Sequence, residues 1–452
     1  MFLALVSFSY TFDACNRPER HRQDPEIRVK SDRIAPQAST DFCRSFQANQ
    51  YRLPDMKNAI RLALVTAFPP AQRSLNEYGL HLAVGLANHP AVSEVVVIAD
   101  RMEAPLPELV LNAKIRVERV WTFNSVGNAP RILSALRRCR PDGALFNLQT
   151  ATFGDRELPA GAGLLTPLLT RLAGIPNGVI AHNLLAGVDL EQTVLKGQPI
   201  RQRIARTGAA VVTRAMASAD YITTTLPGYV EILRAQCPRS AIFHVPHGTF
   251  DTEKRDLSPF GSRQKRIVTM GKFGTYKRLE TLLAAFDIVR RDPLHRDAHL
   301  QIGGADHPNA PGYMNEMAAR RRDDSGISFT GYVAEEDIPA FFENARLCVM
   351  DYTTTTGSSG VMHQAATYGA VPVYPLIGDF VDLYRHEGLT GGHYSPGNEV
   401  EMAAAITDLL SNPDTAAAIA SANRDAVMQI PFSDVIDFHI ARLASLARRE
   451  GF

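Results

Sequence analysis

The chain alternates between short, apolar-rich runs and stretches with helical apolar spacing, and it does so in two successive sets. The first set contains IRLALVTAF (60–68), VSEVVVIAD (92–100), IRVERVWTF (115–123), GALFNLQ (143–149), NGVIAHN (177–183), DYITTT (220–225) and AIFHVPHG (241–248). Most of these runs lack strict polar–apolar alternation, so they suit strands covered on both faces, as in a parallel sheet. Helical stretches lie between them: NEYGLHLAVGLANHP, NAPRILSALRRCR, GLLTPLLTRLAG, PGYVEILRAQ and a long basic stretch over 190–217. The pattern restarts with RIVTMGKF (266–273), HLQIGGAD (299–306), ISFTGYV (327–333), RLCVMDY (346–352) and VPVYPL (371–376). RLETLLAAFDIVRRD, YMNEMAARRRDD, EEDIPAFFENA and VMHQAATYGA separate these, and EMAAAITDLLSN and DVIDFHIARLASLARR follow. Repeated β-α-β units predict parallel sheets with right-handed crossovers. The expected class is α/β, with two Rossmann-like domains (56–257 and 258–432) facing across a cleft. A polar stretch near 251–264 joins them, and a C-terminal helix within 433–452 is placed to pack back on the first domain. Ligands of such sheets bind beyond the carboxyl ends of the strands, which puts the site in the cleft.

Composition narrows the function classes. With 452 residues, 45% of them apolar, the chain can fill two cores. Its 48 basic and 47 acidic residues nearly cancel. That excludes the broad positive field of a non-specific nucleic-acid binder and the high net charge of a disordered chain. The five cysteines (Cys15, Cys43, Cys139, Cys237, Cys348) are scattered and form no C-x-x-C pair, so neither a zinc site nor a disulfide framework is indicated. This usage suits a reducing, cytosolic compartment. No apolar run reaches the roughly 18–20 residues of a membrane span. MFLALVSFSY has no basic residue ahead of it and makes a poor signal peptide. Residues 1–55 read as a disordered extension, because RPERHRQDPEIRVKSDRIAPQAST is polar and aperiodic. They are either a tail or a stretch preceding a true start at Met56.

Two segments carry the candidate chemistry. In MGKFGTYKRLETLLAAF (270–286), a strand ends at Gly271, and Lys272 and Lys277 flank a turn into a helix. Ammonium groups beside a helix N-terminus suit a diphosphate; the plainer reading is a solvated loop. Neither G-x-x-x-x-G-K-[ST] nor G-x-G-x-x-G occurs. In YTTTTGSSGVMHQAATYGAVPV, residues Thr356, Gly357, Ser358, Ser359, Gly360 and Val361 can offer amides and hydroxyls to a polar ligand, and Gln364 follows on a helix. A turn with no ligand is the alternative. The pattern G-x-S-x-G fails, since Val361 stands where its second glycine belongs. His182 ends a first-domain strand where a polar group would face the cleft. His247 reads as structural near the hinge, and His363 as packed or half exposed on its helix. Lys196, Arg201, Arg203, Arg206 and Arg214 form either a solvated helix face or a contact with anionic head groups or an acceptor phosphate.

In this order the pieces resemble the retaining GT-B glycosyltransferases, particularly glycosyltransferase family 4 (group 1), from about Ile60 to Leu443. GKFGTYKRLETLL is similar to that family's donor diphosphate motif, with Lys272 at its Arg position and Lys277 at its Lys position. The exchange keeps the charge but removes a bidentate fork. The family's two glutamates fall on Thr356 and Gln364, so both carboxylates are missing; Gln364 can still hydrogen-bond ribose hydroxyls. His182 matches the family histidine near the donor sugar, and Asp382 stands near an often acidic position. The resemblance implies sugar transfer from a nucleotide diphosphate sugar to an acceptor hydroxyl, with retention. His182, Lys272 and Lys277 would be catalytic. Gly271, Lys272, Lys277, Thr356, Gly357, Ser358, Ser359, Gly360, Val361 and Gln364 would bind the donor. It implies no metal and no cofactor, a carbohydrate or lipid-linked acceptor in polysaccharide or glycoconjugate biosynthesis, and no nucleic-acid partner. The expected location is cytoplasmic, with peripheral contact to the inner membrane face through the 196–214 helix as a further reading. Two rivals stand beside it: a non-catalytic sugar-nucleotide or glycan-binding homologue, favoured by the missing glutamates, and a sugar-nucleotide epimerase.

Overall fold

A computed structural model describes residues 59–71, 73–102, 111–184, 199–253, 257–355 and 357–449. The extension over 1–55, Lys196, the side chain of Arg201 and Thr356 lie outside the described residues.

The first seven strands are β1 (Ile60–Val65), β2 (Val92–Asp100), β3 (Ile115–Trp121), β4 (Gly143–Leu148), β5 (Asn177–Ala181), β6 (Tyr221–Thr224) and β7 (Ile242–His244). They form one parallel sheet in the order β3-β2-β1-β4-β5-β6-β7. β8 (Arg266–Phe273), β9 (His299–Asp306), β10 (Ile327–Gly331), β11 (Leu347–Val349), β12 (Val371–Pro375) and β13 (Gly392–Tyr394) form a second, in the order β10-β9-β8-β11-β12-β13. Both orders reverse direction beside the first strand of the set. The loops after β1, β4, β8 and β11 therefore leave from the two switch points, where ligands of open sheets sit.

The apolar-rich runs have a direct cause. Ala63 and Val65 of β1 pack into one cluster with Ile132 and Leu136 of the helix Asn128–Cys139. Leu62 and Leu64 point the other way, into a cluster with Leu82 and Leu86 of the helix Asn76–Asn88. Successive strand residues face opposite sides, and here both sides are dry.

The C-terminal helix Phe432–Arg449 packs on the first domain. Gly85 and Gly143 make room for it: a Cβ on either would stand 2.8 Å from Ile436 and 3.1 Å from Leu443, respectively. Tyr221 Oη lies 3.0 Å from His439 Nδ1. The chain thus crosses between domains twice, and the crossings are tied by Thr249 N–H to the Ile430 carbonyl (2.9 Å) and Phe432 N–H to the Thr249 carbonyl (3.0 Å).

Some elements depart from the sequence reading. β13 has three residues, too few for a periodic signal, and exists because it pairs with β12. The helix Pro413–Met428 was not anticipated. GLLTPLLTRLAG falls into parts of two helices, Glu157–Leu164 and Thr166–Leu172, broken next to Pro167.

Phe438 is fully buried between the C-terminal helix and the first sheet. Phe438→Ala is expected to cost about 3–5 kcal/mol of stability, measured by chemical denaturation.

Candidate functional site

β8 carries Gly271 and Lys272 to the cleft end of the second sheet. Lys277 follows on a turn that is strapped to the end of β11. Gly274 N–H donates to the Lys277 carbonyl (2.9 Å), Arg278 N–H to the Asp351 carbonyl (2.8 Å), and Thr353 N–H to the Tyr276 carbonyl (2.9 Å). The Lys277 side chain folds back across the strand end. A Cβ on residue 271 would stand 3.2 Å from its Cδ, so a larger residue there would push the lysine chain aside by a few tenths of an ångström. Its ammonium lies 4.7 Å from the Tyr352 ring centroid and 5.8 Å from that of Tyr276. Burial alone would lower the Lys277 pKa, but the two tyrosines and Glu77 hold it above its ordinary value. Burial pushes the Lys272 ammonium below its usual range; Glu77 pulls it back, while Lys277 and Arg73 push it further down. The two lysines therefore share one electrostatic site with Arg73 and Glu77 of the first domain.

The helix N-terminus beside them is not open to an anion. Asp351 Oδ2 accepts from Thr281 N–H (3.0 Å) and Leu282 N–H (3.1 Å), and Tyr313 Oη accepts from Leu279 N–H (2.8 Å). Three of the four orphan amides at the start of the helix Glu280–Arg291, those of Leu279, Thr281 and Leu282, go to these groups. An anion at this place would meet side-chain cations, not the helix end that the sequence reading paired with them.

The loop after β11 meets the first domain directly. Gly357 has φ 87°, and a Cβ there would fall 2.2 Å from the His182 carbonyl oxygen. The two serines differ. Ser359 caps the helix Gly360–Thr367, its hydroxyl accepting from Met362 N–H (3.3 Å). Among the described residues the Ser358 hydroxyl is buried without a hydrogen-bond partner. Val361 packs beside the apolar clusters that this helix joins.

His182 follows β5 and is buried. Asn147 Nδ2 donates to Thr66 Oγ1 (2.9 Å), and that hydroxyl donates to the Ala67 carbonyl (2.9 Å). Asn147 Oδ1 must then accept, so the proton of His182 sits on Nε2, 2.6 Å away. Burial pushes the His182 pKa down to about 3. It is a neutral imidazole, suited to orienting a hydroxyl and not to donating a proton as an imidazolium at pH 7.

Gln364 lines an interdomain cavity of about 200 Å³ with His81, His247, Glu335 and Tyr368. His247 stacks on His363, with ring centroids 4.8 Å apart, and its carbonyl accepts from Tyr78 Oη (3.0 Å). His363 Nδ1 lies 2.8 Å from the Ser359 carbonyl oxygen and its Nε2 lies 2.7 Å from Glu387 Oε2, a setting that favours a proton on both ring nitrogens. Burial opposes that charge, but Glu387 holds the His363 pKa above its ordinary value.

Sequence reasoning missed Arg73, Glu77, Tyr229 and Asp379. Arg73 pairs with Asp100 (3.2 Å) and stacks on Phe123 (4.1 Å). Glu77 accepts from Tyr332 Oη (3.1 Å) of the second domain. Burial raises its pKa, and Glu335 raises it further. Both residues follow β1, the strand at the switch point, and that position was the available signal. Asp382, singled out from the sequence, lies instead against the helix Pro227–Gln236: its Oδ2 would be 2.7 Å from a Cβ on Gly228. In the basic helix Pro199–Met216, Arg203, Arg206 and Arg214 are exposed.

Residues 264–412 match the family model Glycosyl transferases group 1. Mannosylfructose-phosphate synthase of Agrobacterium fabrum is 26% identical over 149 residues, 29% of this chain and 33% of that protein. The match thus spans about a third of the curated relative. Sucrose-phosphate synthase of Thermosynechococcus elongatus superimposes with a TM-score of 0.65 at 15% identity, covering 85% of this chain and 98% of that one. Anabaena Alr3699/HepE in complex with UDP-glucose gives 0.59 at 15% identity, with 85% and 99% covered. The chain has the two-domain GT-B fold, and its second domain carries a match to the group 1 glycosyl transferases.

Proposed function

We propose that the chain is a glycosyltransferase, moving a sugar from a nucleotide diphosphate sugar to an acceptor hydroxyl with retention at the anomeric carbon. The observation that carries this reading is the convergence of Lys272 and Lys277, with Arg73 nearby, at the facing switch points of two parallel sheets. The group 1 match over 264–412 and the UDP-glucose complex of the Anabaena neighbour support it.

In this reading the second domain holds the nucleotide, with Gln364 at the ribose. Negative charge grows on the diphosphate as the glycosidic bond breaks. The two ammonium groups then stabilise the transition state more than the ground state. Their half-dry setting strengthens the effect, since water screens less there. Ser358 and the amides of 357–361 orient the sugar, and neutral His182 hydrogen-bonds it. Leaving-group stabilisation drives a front-face substitution, so no protein nucleophile is needed at position 356. Cationic side chains take the place of a metal, and the nucleotide sugar is the substrate. The acceptor is a carbohydrate or lipid-linked hydroxyl of polysaccharide or glycoconjugate synthesis. We place the chain in the cytoplasm, with the exposed arginines of 199–216 available to an anionic membrane face. Among the described residues no helix is long and apolar enough to cross a membrane.

A non-catalytic sugar-nucleotide binder is the second reading, favoured by the absence of acidic residues at Thr356 and Gln364. Incubation with UDP-, GDP- and ADP-linked sugars separates the two. Release of nucleoside diphosphate supports the transferase, and a thermal shift without turnover across candidate acceptors supports the binder.

Two variants test the charge argument. Lys277→Ala is expected to lower kcat/KM about a hundredfold or more, read from nucleotide release. The lowered pKa of Lys272 means that its charge is lost at a lower pH than for an ordinary lysine. Nucleoside diphosphate affinity should therefore fall as pH rises through that lowered pKa. Lys272→Arg, which keeps its charge, should flatten the alkaline limb in calorimetric titrations.

A further inference from the structure

We infer that Tyr229 and Asp379 form an interdomain latch that positions the loop at Gly357 and holds the two domains closed over the site. The inference rests on the transferase reading and names positioning residues for it.

Tyr229 belongs to the first-domain helix Pro227–Gln236, and Asp379 opens a short turn after β12 in the second domain. The Tyr229 hydroxyl donates to Asp379 Oδ2 at 2.9 Å and accepts from Gly357 N–H at 3.2 Å. Gly357 N–H also donates to the same carboxylate oxygen. Asp379 N–H in turn donates to Thr355 Oγ1 at 2.7 Å. Thr355 and Gly357 on one side and the turn at 378–379 on the other therefore brace each other, and one first-domain hydroxyl closes the triangle.

Each part requires the others. Tyr229 is 8% exposed and sits in an apolar cluster with Leu226 and Phe380, so its hydroxyl has little access to water if Asp379 is lost. A hydrogen bond to an ionised carboxylate is stronger than one between neutral groups. Gly378 has φ 46°, and a Cβ there would fall 2.3 Å from Thr355 Oγ1, so glycine is what lets the brace form. Gly357 brings the loop against the His182 carbonyl on the same side. Asp382 adds a second carboxylate near Gly228, at the positive end of the Tyr229 helix, which draws the domains together. The two bonds of the Tyr229 hydroxyl span the domains, so opening the cleft breaks them. They raise the population of the closed form and fix the loop in it.

The test uses the full chain with Tyr229→Phe, Asp379→Asn and the double variant. Small-angle X-ray scattering reads the compactness of each, free and with UDP as probe. Nucleotide release from a turned-over sugar nucleotide gives kcat and KM. The latch predicts that each single variant is more expanded than the parent when free and loses about tenfold in kcat, the cost of one unsatisfied buried partner. It also predicts that the two single losses do not add in the double variant, because both substitutions weaken the same Tyr229–Asp379 bond. Variants as compact as the parent, or losses that add, would overturn it. Tyr229→Phe removes only an oxygen and guards against misfolding. Scattering needs no turnover, so absence of any active donor would count against the transferase reading while leaving the latch decided.

Discussion

Two ammonium groups held close together in a half-dry crevice set the terms for the rest of the molecule. Like charges repel, and burial penalises each of them. Lys277 answers this with the faces of Tyr276 and Tyr352, and Lys272 with the field of Glu77. The backbone bonds within 274–278 and from there to 351–353 hold the turn that carries Lys277. The amides of Thr281 and Leu282 go to Asp351, so the positive charge at this end of the cleft lies on side chains.

The second constraint is close approach between domains. Gly357 and Gly271 serve different halves of the same site. One lets a loop touch the backbone of His182, and the other lets Lys277 lie across the end of β8. A shared apolar cluster containing Tyr229, Leu226, Tyr352 and Phe380 covers the contact. The neutral state of His182 and the charged state of His363 follow from what each ring nitrogen meets, not from their position in the chain.

The fold was largely legible before any coordinates. Apolar-rich runs such as IRLALV and VVVIAD require cover on both faces, and their alternation with amphipathic helices leaves few arrangements besides parallel sheets. Lys272, Lys277 and the 357–361 turn were also visible, since glycine and lysine at a strand–turn–helix junction carry a local signal. β13 and the helix Pro413–Met428 were not, because three residues hold no period and an alanine-rich helix gives a weak apolar stripe.

The sequence by itself determined which segments become strands and helices, that they form two sheets, and which turn carries the cationic pair. Those properties depend on neighbours within a few residues and on the faces that must be dried. Only the tertiary structure decided that Arg73 and Glu77 face the lysines, that Tyr229 reaches Asp379, and that His182 is neutral while His363 is charged. These depend on groups 150 residues apart in the case of Tyr229 and Asp379. Electrostatics and hydrogen bonding act through space, and no local pattern records which distant groups share a crevice.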